Sequence, residues 1–143
     1  AHDGGVILNL RGVNHNPGAE PEDMISVRIW AEASLVVSMR SYPVKAVHQV
    51  RDKVVGGETP ASPGDLLAMI AAQLVEAIEP VIDQLHEDAD EYEQTLLEGR
   101  SRLTPSQLAE FRQTILTLRR YIQPQREALA QLQRINPEGI QVD

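Results

Sequence analysis

Ile25-Ser26-Val27-Arg28-Ile29-Trp30-Ala31-Glu32-Ala33-Ser34-Leu35-Val36-Val37-Ser38-Met39-Arg40 is the stretch on which the fold turns. Ile25, Val27 and Ile29 alternate with Ser26, Arg28 and Trp30, and Leu35, Val37 and Met39 alternate with Val36, Ser38 and Arg40. Period-two alternation rich in β-branched residues is the signal of a strand with one buried face. The short link Ala31-Glu32-Ala33-Ser34 joins the two runs as a hairpin. Upstream, Val6, Leu8 and Leu10 alternate with Ile7, Asn9 and Arg11, which makes a third strand. In each strand the first-named set is wholly apolar, so these three sets are expected to share the face that packs on helices. The stretch Asn14-His15-Asn16-Pro17-Gly18-Ala19-Glu20-Pro21 is dense in turn formers and reads as a loop.

After Pro43 the period changes. Val44, Val47, Val50 and Val54 fit a short amphipathic helix closed by Gly56-Gly57. Ser62-Pro63-Gly64-Asp65 supplies an N-cap, a proline at the first helical position and an acid at the third. The helix it opens is expected to run to Glu98, with Gly99 as its stop. Thr104-Pro105-Ser106-Gln107 repeats the start signal as a capping box, opening a helix that runs to about Ile135. Positions 108, 111, 115, 118, 122, 125, 129 and 132 of this second helix are apolar at 3-4 spacing except for Gln125. Ala71, Leu74, Ile78, Val81, Leu85 and Tyr92 keep a similar rhythm in the first, broken by Asp88. Two helices of that length and a short loop predict an antiparallel hairpin of roughly 45 Å. Pro80 and Pro124 each delete a backbone hydrogen bond, so each helix is expected to kink there. The fold class expected is α+β: a largely antiparallel sheet on helices, with strands and a short helix over 1–61 and the long helical hairpin over 62–143, all in one domain.

Composition narrows the function. The 143 residues carry no cysteine, which excludes a disulfide scaffold, a thiolate zinc site and a cysteine nucleophile. Aromatic residues make up 3% of the chain and the net charge is −8, so a nucleic-acid partner is not expected. No apolar run approaches the ~18–20 residues of a membrane span, and no secretory leader is visible. The chain does not begin with Met, which fits a piece of a longer protein. The charge is concentrated: residues 76–98 hold nine acidic side chains and no Lys or Arg, whereas residues 99–143 hold seven basic and four acidic ones. Nine carboxylates on one segment create a field that gathers cations.

No glycine-rich phosphate loop, nucleophile elbow or His-Glu-x-x-His motif is present, and no enzyme activity is expected. Asp83, His86 and Asp90 fall at i, i+3 and i+7, on one helix face. A His and two carboxylates so placed could hold Zn²⁺ or another divalent cation, and the competing reading is a solvated acidic face. No other cofactor is expected. Arg11, Arg28 and Arg40 each fall on the polar side of a strand, where they could gather into an anion site or pair with acids from a covering helix. Trp30 is read as a packing residue at a domain boundary.

The run Leu10-Arg11-Gly12-Val13-Asn14-His15-Asn16-Pro17-Gly18-Ala19-Glu20-Pro21-Glu22-Asp23-Met24-Ile25-Ser26-Val27-Arg28-Ile29-Trp30 resembles the signature of the ZntB-type zinc transporters, part of the CorA superfamily of divalent-cation transporters. Leu118-Arg119-Arg120-Tyr121-Ile122-Gln123-Pro124-Gln125-Arg126-Glu127-Ala128-Leu129 resembles a second stretch of that family. His15 departs from the pattern, where an apolar residue is expected. The resemblance implies a truncated cytoplasmic domain, on the cytoplasmic face of the bacterial inner membrane. It implies a homopentamer whose membrane helices lie in a C-terminal region absent from this sequence, with zinc as the ion carried. Two alternatives stand beside it: a CorA-type magnesium or cobalt channel domain, and a soluble helical-hairpin scaffold that binds a partner protein. The scaffold reading requires an exposed apolar seam at Leu108, Phe111, Ile115 and Leu118.

Overall fold

The computed structural model describes residues 5–99 and 103–134. Three strands, β1 (Val6–Gly12), β2 (Ile25–Glu32) and β3 (Leu35–Arg40), form one antiparallel sheet in the order β1-β2-β3. Four helices follow among the described residues: α1 (Lys45–Val55), α2 (Pro63–Glu76), α3 (Glu79–Leu97) and α4 (Pro105–Arg134). The class is the expected α+β, a small antiparallel sheet with helices against one face. The expected last residue of α4, Ile135, lies outside the described residues.

The alternation of β1 and β2 is realised as read. Val6, Leu8 and Leu10 on β1, and Ile25, Val27, Ile29 and Ala31 on β2, are all buried. They join Val44 and Val50 around α1, Leu67, Ile70 and Leu74 from α2, and Leu132 from α4 in the main core. β3 departs from expectation. Its apolar set faces away from the helices, with Leu35, Val37 and Met39 exposed by 48%, 42% and 62%. Val36 packs against the core instead. The reason is the turn. Only Ala33 and Ser34 separate Glu32 from Leu35, which are paired, so Ala31 lies opposite Val36 and Ile29 opposite Ser38. A two-residue hairpin loop always pairs an odd position with an even one. The inward odd residues of β2 therefore select the even residues of β3.

The helix starts follow their caps. The Ser62 hydroxyl accepts from the Asp65 N–H at 3.1 Å, with Pro63 in the first turn of α2. At α4 the box is reciprocal: Gln107 N–H donates to Thr104 Oγ1 at 3.2 Å, and Thr104 N–H donates to Gln107 Oε1 at 2.9 Å. Gly56 N–H closes α1 on the Asp52 carbonyl, and Gly57 then takes φ +111°, a conformation that suits a residue without Cβ.

The single helix expected from Pro63 to Glu98 is broken. α2 ends at Glu76, and α3 opens after Ile78, with the Val81 and Ile82 N–H groups both donating to the Ile78 carbonyl. Pro80 has no N–H for the Glu76 carbonyl, and the chain resolves the defect as a break one turn earlier rather than as a kink at the proline. Pro80 then occupies the first turn of α3, where its missing donor costs nothing. Pro124 behaves differently: α4 runs through it as one helix of 30 residues.

Candidate functional site

α3 and α4 form an antiparallel pair that leans on the loop between β1 and β2. Val13 and Met24 from that loop, Ile78 and Leu118 make a second buried cluster, joined by Val81, Ile82, Leu85, Tyr121 and Ile122. Toward the hairpin tip the seam thins to an edge-on contact of Tyr92 with Phe111, ring centres 5.2 Å apart. The heptad positions of α4 divide accordingly. Leu118, Gln125 and Leu132 are buried, whereas Leu108 and Ile115 stay exposed near the tip. The scaffold reading expected an exposed apolar seam here and loses its motive where the seam is buried: Leu118 is buried and Phe111 lies against Tyr92, while Leu108 and Ile115 are exposed.

The polar exception in the heptad, Gln125, is a functional residue of the fold that the sequence reading passed over. Its Oε1 accepts the Arg11 N–H at 2.6 Å, and the side chain is buried. Arg11 also lays its guanidinium over the Tyr121 ring, 4.8 Å from the centroid. α4 thus covers the free edge of β1, where an unpaired N–H otherwise invites another strand. A lone polar residue in an apolar stripe was the signal that could have found it.

The long loop is knitted by its own asparagines. Asn14 Nδ2 donates to the Asp23 carbonyl at 3.0 Å, and Asn14 Oδ1 accepts from the Asn16 N–H at 3.1 Å. Asn16 Nδ2 reaches the Pro43 carbonyl at 3.0 Å, and Thr114 of α4 donates to Glu22 Oε1 at 3.0 Å. The asparagine bonds hold the loop's shape and tie it to Pro43, and Glu22 joins it to α4.

On its other side the α3–α4 seam opens into a trough. Two adjoining hollows of about 740 and 620 Å³ share Ile82, Ile122, Arg126 and Ala130. Val75, Ile78 and Leu129 continue the apolar floor, with Glu79 and Asp83 on the α3 rim and Arg119 and Arg126 on the α4 rim.

α3 carries seven carboxylates and no Lys or Arg. Asp83, His86 and Asp90 all sit exposed on it. Among the described residues no group of three or more His, Asp or Glu side chains is arranged to hold a metal ion. The three strand arginines are not brought together. Arg11 is taken by Tyr121, Arg28 is exposed on the open face of the sheet, and Arg40 donates to His48 Nε2 at 2.8 Å. Among the described residues none of the three is in an ion pair, and because β3 is turned over Arg40 lies on the face opposite Arg28. Trp30 is half-buried beside Gly5 on that open face, and a Cβ on Gly5 would collide with the indole.

The profile of the CorA-like Mg²⁺ transporter protein family matches residues 1–142. The chain belongs to the CorA-like family. The chain is 37% identical over 131 residues to the divalent cation transporter CmaX of Pseudomonas aeruginosa, which covers 90% of the chain and 39% of CmaX. It is 32% identical over 129 residues to the zinc transport protein ZntB of Pectobacterium carotovorum, with the same shares covered. The chain therefore spans about two fifths of the length of these curated relatives. The fold superposes on the structure of full-length CmaX with a TM-score of 0.83 at 34% identity, over 95% of this chain and 42% of that one. It superposes on the ZntB cytoplasmic domain from Vibrio parahaemolyticus with a TM-score of 0.82 at 27% identity, over 98% of this chain and 55% of that domain. The CorA-like architecture expected from residues 10–30 and 118–129 is the one observed. No helix among the described residues is long and apolar enough to cross a membrane.

Proposed function

We propose that this chain is the cytoplasmic part of a divalent-cation transporter of the bacterial inner membrane, and that the cargo is zinc. In this reading the chain is not an enzyme. Five copies assemble around the ion path, and the chain's own role is assembly and ion attraction. The observation that carries the reading is the superposition of nearly the whole chain on a ZntB cytoplasmic domain, supported by identity to ZntB and CmaX along the sequence. The physical contribution of this chain is electrostatic. The seven carboxylates of α3 meet no basic residue on their own helix, so their field raises the local concentration of divalent cations. Cations that bind them can alter packing only by binding one arrangement more tightly than another.

The test is transport by the complete product of the gene, reconstituted in vesicles with zinc- and magnesium-sensitive dyes inside. Saturable zinc entry with little magnesium entry is expected, and magnesium entry without zinc refutes the cargo assignment. Replacing Asp83, Glu87 and Asp90 together by amides should slow zinc entry several-fold at low ionic strength and much less at high. For the isolated chain, millimolar zinc or magnesium should shift the melting temperature or the association state. If neither moves, the cation-responsive part of the reading fails. If Asp83→Ala with His86→Ala leaves zinc affinity unchanged, the field acts without a local site.

A further inference from the structure

The two hydrophobic clusters meet along a border, and the helices that cross it are both interrupted there. α2 gives Leu67, Ile70 and Leu74 to the first cluster, and α3 packs Val81, Ile82 and Leu85 with Ile78 in the second, while Ala77 touches both. On α4, Leu129 and Leu132 pack with the first cluster, and Leu118, Tyr121 and Ile122 with the second. The border therefore falls at Ala77 on one arm and between Ile122 and Leu129 on the other. Each crossing carries a proline defect. Pro80 offers no N–H to the Glu76 carbonyl, and the helix breaks between Glu76 and Glu79. Pro124 offers none to the Arg120 carbonyl inside α4. The crossings lie at one level, since Ile78 and Gln125 line the same hollow.

We propose that these two crossings form a hinge, on which the α3–α4 hairpin swings as one body against the sheet, α1 and α2. Hinges are residues at element ends that absorb a change of direction, and each crossing lacks a hydrogen bond that would hold its helix straight. Gln125, next to Pro124, pins the pivot to the Arg11 N–H. A strap limits the swing. Asn16 ties the β1–β2 loop to the Pro43 carbonyl on the sheet side, and Thr114 ties the hairpin to Glu22 of the same loop. Leu118 lies only about 9 Å beyond Pro124 at 1.5 Å per residue, so a swing of about 10° moves it by about 1.5 Å. It stays in contact with its partners Val13 and Met24. The same swing reshapes the hollow, which Val75 and Leu129 line on one side of the hinge and Ile82 and Ile122 on the other. An apolar occupant that fits one shape better than the other would hold the hairpin at that angle. The inference does not depend on the cargo or the assembly proposed above.

Pulsed electron paramagnetic resonance between pairs of spin labels on the 143-residue chain tests it, and the chain has no cysteine of its own to take a label. Labels at Gln49→Cys on α1 and Glu93→Cys on α3 span the hinge. Labels at Glu93→Cys and Gln113→Cys lie within the hairpin, beside the Tyr92–Phe111 contact. All three sites are exposed. The spanning pair is expected to show a clearly broader distance distribution than the hairpin pair. Glu93 lies about 22 Å from Ile78 at 1.5 Å per residue, so a swing of about 10° moves it by about 4 Å. Thr114→Val cuts the strap and should shift or widen the spanning distribution by about that amount while leaving the hairpin pair alone. Thr114→Ser keeps the hydroxyl and should behave as wild type. Pro124→Ala restores an N–H to the Arg120 carbonyl and should narrow the spanning distribution to the width of the hairpin pair. Circular dichroism of each variant checks the helices. A wild-type spanning distribution as narrow as that of the hairpin refutes the hinge without recourse to a hinge or strap variant. A spanning distribution that Pro124→Ala leaves equally broad, or that Thr114→Val does not move, refutes it as well. So does widening of both pairs together in Thr114→Val, because the hairpin then frays instead of swinging.

Discussion

Replacing Gln125 by methionine should unfasten the edge of β1 from α4. Methionine is similar in length and keeps most of the packing, but it offers no oxygen to the Arg11 N–H, now held at 2.6 Å. A buried donor left unpaired costs about 1–3 kcal/mol. Arg11 is half-buried rather than sealed, so water recovers part of that and the lower half of the range applies. In urea, where m for a domain of this size is about 1–3 kcal/mol/M, the midpoint should fall by roughly 0.5–1 M with m unchanged. Gln125→Glu keeps an acceptor in the same place and should recover most of the loss at neutral pH. Amide exchange provides a local check, since Arg11 should lose protection in Gln125→Met before its neighbours in β2 do. A midpoint within about 0.2 M of wild type, or an Arg11 amide still protected in Gln125→Met, would refute the view that this side chain fastens helix to sheet.

Three further outcomes are expected. Gly12→Ala should lower stability by about 1–3 kcal/mol in the same titration, because the added Cβ would stand 2.6 Å from Val44 Cγ1 and 3.0 Å from Leu74 Cδ2. Leu74→Ala, at a side chain with no exposed surface, should cost about 2–5 kcal/mol and be read as a lowered melting temperature. On β3, Val36→Ala should cost more than Val37→Ala, which should stay within about 0.5 kcal/mol of wild type; the reverse order would mean that the strand is turned the other way.

Much of the fold is local and can be read locally. Ser62-Pro63 and Thr104-Pro105 announce helices because a cap is an interaction among neighbours. β1 and β2 are legible because one face of each is buried throughout. β3 is not, because it carries apolar residues on both faces and only the parity of the turn decides which is inward. The site divides the same way. The acidity of α3 is written in its composition, whereas the exposure of Asp83, His86 and Asp90 and the dispersal of Arg11, Arg28 and Arg40 depend on which faces the helices and strands turn outward. Gln125 was visible as an exception, but its partner, 114 positions away, was not.

The uneven seam between α3 and α4 makes α4 a lever. It is gripped by the sheet near Gln125 and Leu132 and by the second cluster at Leu118, and beyond Leu118 Phe111 and Thr114 steady it. From Leu118 to Pro105 the helix extends about 20 Å at 1.5 Å per residue. A rotation of about 8° at the grip therefore carries the tip by about 3 Å, the length of a hydrogen bond. Repacking too small to disturb the core around Leu118 would be delivered at the tip as a displacement able to make or break a contact.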